Sequence, residues 1–226
     1  MTVTLVFLAS LMALFVFWLV RQSIHSRPWV AQTAAGGAGA LAAGLTAPRV
    51  GFAVFLAVAT SIFALSVSAY TMRMHMGSDW LHLHPPSVLW INTAVLVLAS
   101  VAMQWTWNAS RRGAARSLSI GLQAAGTLSL AFVAGQYVVW RQLDAAGFYA
   151  STNPANAFFY LLTGLHAVHL LGGLIGWGRI ALAETRGATP AALRPGLELC
   201  ALYWDYLLVV WVVLFGVLLW HDSPAA

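Results

Sequence analysis

The chain has 226 residues, 61% of them hydrophobic and only 8% charged, against roughly 25% charge in soluble domains. Its mean hydropathy of +0.80 excludes an ordinary water-soluble domain and marks an integral membrane protein. All eleven basic residues are arginine and the net charge is +5; they cluster between apolar runs, so they report membrane orientation rather than a nucleic-acid-binding surface.

Crossing ~30 Å of hydrocarbon takes about 20 helical residues. Apolar runs of that length lie at roughly 3–20, 50–72, 86–107, 118–140, 156–180 and 199–220, predicting an all-α polytopic bundle of six transmembrane helices. The runs show no sustained apolar–polar alternation, and barrel strands would be about half as long, which favours helices. The first run lacks a basic residue before Leu5 and a small-residue cleavage site, and Arg21 follows it, so residues 1–28 read as an N-terminal transmembrane helix rather than a signal peptide.

Residues 29–49 contain "AQTAAGGAGALAAGLTAP", apolar enough to be buried but rich in glycine and ending in proline. Arginine placement decides its role. Arg21, Arg27, Arg49, Arg111, Arg112, Arg116, Arg179, Arg186 and Arg194 fall in the loops after the first, third and fifth spans, against Arg73 and Arg141 in the others. That bias puts the arginine-bearing loops in the cytoplasm and both termini outside. A seventh span would separate Arg21 and Arg27 from Arg49, so residues 29–49 read as a cytoplasmic connector, re-entrant or partly helical, leading into a five-helix core over 50–226.

The third span opens with "HLHPPSVLWINT", where Pro85 and Pro86 suit a helix start because their missing N–H groups would lack partners there anyway. Trp90 is then expected at the outer interface, with Asn92 and Thr93 offered to a neighbouring helix. His75, His82 and His84 precede this span; with Asp79 the only nearby carboxylate, they read as a solvated loop in preference to a surface metal site. Trp80, Trp105, Trp107, Trp140, Trp204 and Trp220 fall near span ends and read as an aromatic belt.

The fifth span holds "FFYLLTGLHAVHLLGGLIG", with His166 and His169 three residues apart on one helix face. A bis-histidine haem needs a facing histidine on another span, and His25, His75, His82, His84 and His221 all lie in loops or at ends. Zinc would similarly lack ligands. Both imidazoles therefore read as neutral and hydrogen-bonded to adjoining helices, with Gly164, Gly172, Gly173 and Gly176 admitting a close helix approach. Asp205 is the carboxylate inside a span, expected about six residues into the last helix and paired with His169 or Arg194, or snorkelling to the interface. Cys200 reads as a small packing residue, and no disulfide is available to it. The chain has no phosphate-binding glycine loop and no activated serine or cysteine motif, and it shows no inverted repeat of the kind transporters carry.

"FFYLLTGLHAVHLLGG" closely resembles the signature of subunit III of haem–copper terminal oxidases, where an FY, a TG and two histidines three apart recur in the penultimate helix. "PPSVLWINTAVLVLAS", "GQYVVWRQL" and "YWDYLLVVWVVLF" resemble further spans of that family, so that the likeness covers about residues 50–220. The resemblance implies a non-catalytic accessory subunit in aerobic electron transport, carrying no cofactor or metal itself. Haem and copper would sit on partner subunits, with catalytic subunit I, subunit II and membrane phospholipids as partners and no nucleic acid. It implies stabilisation of the catalytic subunit, phospholipid binding and support of proton uptake, in a bacterial inner membrane. The candidate structural, lipid-cleft or subunit-contact residues are Trp90, Asn92, Thr93, Tyr160, Thr163, Gly164, His166, His169, Gly173, Tyr203, Trp204, Asp205 and Trp211. The chain departs from the family in four respects: no carboxylate stands near Ala59 or Thr60, Asp205 replaces a usual histidine, Leu208 replaces a usual aspartate, and one helix is expected before the five-helix core where family members have none or two. These departures admit a quinol oxidase or a relative associated with nitric-oxide reduction as the complex served.

Overall fold

In the computed structural model the described residues are 47–76, Trp80 and 86–220. They form α1 (Ala47–Met74), α2 (Val88–Arg111), α3 (Ala115–Ala145), α4 (Pro154–Thr185) and α5 (Pro190–Trp220). All five are long and apolar enough to cross a membrane. The fold is therefore that of an all-helical integral membrane protein, as the apolar runs predict. The first predicted span and nearly all of the Gly/Ala connector lie outside the described residues.

The helices outrun the apolar stretches because capping, not hydropathy, sets their ends. Asn153 caps α4 by accepting a hydrogen bond from the Ala155 N–H at 3.1 Å, and Pro154 occupies the first turn. At the other end, Gly113, Gly147 and Gly187 follow α2, α3 and α4 with φ of 70°, 83° and 87°. Each supports the six-to-one closing bond of a Schellman turn: Ala114 N–H to Ala109 O, Phe148 N–H to Leu143 O, and Ala188 N–H to Ala183 O. Short connections follow, so successive helices run antiparallel.

The chain divides into two compact units, Met1–Thr71 and Met72–Ala226. In the first, α1 buries a stripe of Leu56, Ala59, Phe63, Val67 and Tyr70 at the three- and four-residue spacing of one helix face. In the second, α2 packs on α3, α3 on α4, α4 on α5, and α5 closes the ring against α2. One end of its core holds Ala109, Leu118, Leu122, Leu193 and Leu197. The middle is aromatic, with Phe132, Phe159, Trp204 and Trp211 almost wholly enclosed.

Candidate functional site

Lipid offers no hydrogen bonds, so polar side chains within the spans need partners inside the protein. The four-helix unit meets this demand with a repeated device. The indole Nε1 of Trp211 on α5 donates to the Thr93 hydroxyl on α2 at 2.9 Å, and Thr93 donates back to Leu89 O at 2.8 Å. Trp204 on α5 donates to Ser129 on α3 at 2.8 Å, which donates to Ala125 O at 2.7 Å. Trp140 on α3 donates to Thr163 on α4 at 3.0 Å, which donates to Phe159 O at 2.7 Å. Each hydroxyl thus accepts across a helix interface and donates within its own helix. A further indole, Trp177 on α4, donates directly to Leu122 O on α3 at 2.9 Å. Trp204 is fully buried in this unit, so its indole belongs to the helix-to-helix network and not to an interfacial belt. Trp90 does face outward, 61% exposed, with its ring edge against Phe215 at 4.9 Å.

The two histidines have different surroundings. His166 is fully buried and its Nε2 donates to Leu207 O on α5 at 3.1 Å. Its ring lies against Phe132 and Trp211, with centroids at 5.6 and 5.0 Å. His169 is half-buried, and its Nδ1 donates to Leu165 O of its own helix at 2.8 Å, while the His169 carbonyl accepts from the Tyr203 hydroxyl at 2.9 Å. The histidine pair therefore ties α4 to α5 through one side chain and one main-chain carbonyl. Tyr160 turns toward the connection before its helix and donates to Phe148 O at 3.1 Å.

Asp205 corrects the sequence expectation. Its carboxylate accepts from the Ser100 hydroxyl and the Gln104 amide of α2, each at 2.5 Å, in place of a link to His169 or Arg194. Residues four apart share a helix face, so Ser100 and Gln104 form a two-pronged donor. Because α5 begins at Pro190, Asp205 lies ~22 Å along its helix rather than a turn or two inside it. Arg194 instead donates to Ser110 O and Arg111 O at 3.4 and 3.1 Å, satisfying carbonyls at the end of α2.

Close approach is concentrated on fewer glycines than the spacing in α4 implies. A Cβ on Gly173 would meet the rings of Tyr203 and Trp204. Gly172 faces open space, while Gly164 and Gly176 have only ordinary contacts, with Trp140 and with the Cys200 sulfur, each at 3.9 Å. The tighter positions, Gly121, Gly126 and Gly135, are on α3, where a Cβ would collide with Thr106, Trp177 and Asn92. Their only sequence signal is five- and nine-residue spacing within one apolar run.

Among the described residues no group of three or more His, Cys, Asp or Glu side chains is placed to hold a metal ion. His75 is exposed beyond α1, and His82 and His84 lie outside the described residues. Chemically, the arrangement couples helices to one another.

The family model of cytochrome c oxidase subunit III matches residues 2–223. A probable cytochrome c oxidase subunit 3 of Mycobacterium tuberculosis is 30% identical over 75% of this chain and 85% of its own length. The cytochrome bo(3) ubiquinol oxidase subunit 3 of Pseudomonas aeruginosa is 28% identical over 74% of this chain and 81% of its own, and the cytochrome c oxidase subunit 3 of Thermostichus vulcanus is 26% identical over 74% and 84%. A match along nearly the whole sequence shows that the chain belongs to the subunit III family of the haem–copper oxidases.

Proposed function

We propose that this chain is a non-catalytic accessory subunit of a respiratory haem–copper oxidase, seated against catalytic subunit I, with subunit II in the same complex. In this reading it stabilises the catalytic subunit, holds phospholipid on its apolar faces and supports proton uptake, while haem and copper are carried by the partners. It works in a bacterial inner membrane with both termini outside.

The carrying observation is the division of polar and apolar residues in the four-helix unit. Indole, hydroxyl, amide and carboxylate groups link one helix to another, whereas outward faces carry large apolar side chains such as Ile91, Leu98, Val101, Val168 and Ile175. A surface of that kind suits acyl chains and neighbouring helices. Ala59 is buried, and the family resemblance puts a usual carboxylate near Ala59 or Thr60 that this chain lacks, so support of proton uptake would have to rest on other groups.

Affinity purification in mild detergent, with mass spectrometry of co-purifying chains and phosphorus analysis, tests the proposal. A haem–copper catalytic subunit and retained phospholipid in near-stoichiometric amounts are expected; recovery of the chain alone would overturn it. The Pseudomonas relative's name favours a second reading for the electron donor, quinol in place of cytochrome c. Oxidation assays of the purified complex with each donor separate the two.

A further inference from the structure

Among the described residues, four buried side chains keep polar atoms without a protein partner; Asn156 Oδ1 lies in the first turn of α4, and the other three are Asn92 with its Nδ2, Gln136 with both amide atoms, and His166 with its Nδ1. All three residues are at most 3% exposed. They come from three helices that a short series of contacts links. Asn92 of α2 packs against Gly135 of α3, where a Cβ would strike its amide, and Gln136 is the next residue. One turn away on α3, Phe132 sets its ring against His166 of α4 and against Trp211 of α5, at 5.6 and 4.9 Å. Trp211 in turn donates to Thr93, the neighbour of Asn92.

The hydrogen-bonding capacities are complementary. His166 donates through Nε2 to Leu207 O, which leaves Nδ1 a bare acceptor. Gln136 adds an acceptor oxygen and an NH2 donor, and Asn92 adds a second NH2 donor. Buried polar atoms are nearly always satisfied, and an internal water typically makes about three hydrogen bonds. From this we propose that Asn92, Gln136 and His166 form an internal binding site for ordered water, roofed by Phe132 and Trp211 in the middle of the four-helix unit. A water there accepts from the Asn92 amide and donates to His166 Nδ1 and Gln136 Oε1, and so fixes the tautomer in which His166 reaches Leu207. The site is independent of the chain's role in an oxidase.

X-ray hydroxyl-radical footprinting tests it, because radicals generated from a bound water oxidise the side chains beside it even where bulk solvent is excluded. The full chain in its native complex is irradiated and digested, and labelling of Trp211 and Phe132 is compared with Trp204 and Phe159. These controls are of the same residue types and are as deeply buried. Several-fold faster labelling of Trp211 and Phe132 is expected. Labelling of Trp211 no faster than Trp204 would overturn the site and leave direct pairing of Gln136 with His166 as the account. In Gln136→Met, which keeps side-chain length but removes both amide atoms, assembly with loss of the Trp211 excess is expected; an undiminished excess would also overturn the assignment. Should that variant not assemble, the comparison within the unaltered chain decides alone.

Discussion

Ser129 is a small residue with a large obligation, since its hydroxyl is the acceptor for the fully buried Trp204 indole and a donor to Ala125 O. Ser129→Ala strands the indole N–H in an apolar interior, and the cost should be about 1–3 kcal/mol. Thermal denaturation of the purified complex would read this as a lower midpoint; an unchanged midpoint would mean that Trp204 finds another acceptor. Asp205 offers a second check at this scale. Asp205→Asn leaves one acceptor oxygen for two donors, Ser100 and Gln104, so a loss of about 1 kcal/mol is expected. Equal stability of the two forms would remove the Asp205 contribution to the α2–α5 contact from consideration. That Asp205 needs a partner is legible in the sequence, because an isolated carboxylate in a span is costly. Which partner it takes is not legible, since Ser100 and Gln104 lie 105 and 101 residues away and become a pair only when α2 turns that face to α5.

At the scale of helices, close packing separates glycines that look alike in the sequence. Gly126→Ala on α3 drives a methyl into the Trp177 ring, whose Nε1 is fixed to Leu122 O, so the indole cannot retreat without giving up that bond. A cost of about 1–3 kcal/mol is expected for such overpacking. Gly172→Ala on α4 enters open space and should leave stability unchanged or slightly raised. Urea or heat unfolding of the two variants side by side checks the contrast, and equal effects would refute it. Helix existence is readable from apolar run length, and the ends at Asn153-Pro154 and at Gly113, Gly147 and Gly187 follow known capping chemistry once the chain is seen. Apolarity alone placed most boundaries too far inside, the start of α2 and the end of α5 excepted, because helical hydrogen bonding continues past the hydrocarbon until a cap stops it. The glycine-rich stretch of α4 drew attention by density, whereas what makes a glycine necessary is the bulk opposite it: Trp177 opposite Gly126, and Tyr203 opposite Gly173.

For the whole molecule, arginine asymmetry carries the orientation signal, and it predicts that the connections after α2 and α4 face the cytoplasm. Single-cysteine variants in a Cys200→Ser background test this. Ser151→Cys, between α3 and α4, should react with a membrane-impermeant maleimide in intact spheroplasts, and Ala188→Cys, between α4 and α5, only after the membrane is opened. The reverse pattern would invert the topology. The family signature in α4 was legible because it is dense and local. The proposed water site of Asn92, Gln136 and His166 was hidden, since it depends on the register of three antiparallel helices.

The last helix reaches two others through its indoles, α2 by way of Trp211 and α3 by way of Trp204, and also brings Asp205 to α2. During synthesis, therefore, α2 to α4 are in the membrane while Ser100, Gln104 and the acceptor sides of Thr93 and Ser129 still wait for the final segment. A nascent chain halted before Pro190 displays those groups to lipid or to a neighbouring protein. Membrane proteases and insertases that recognise exposed polar groups would then tell an unfinished subunit from a finished one, so that completion of the chain and release from surveillance become the same event.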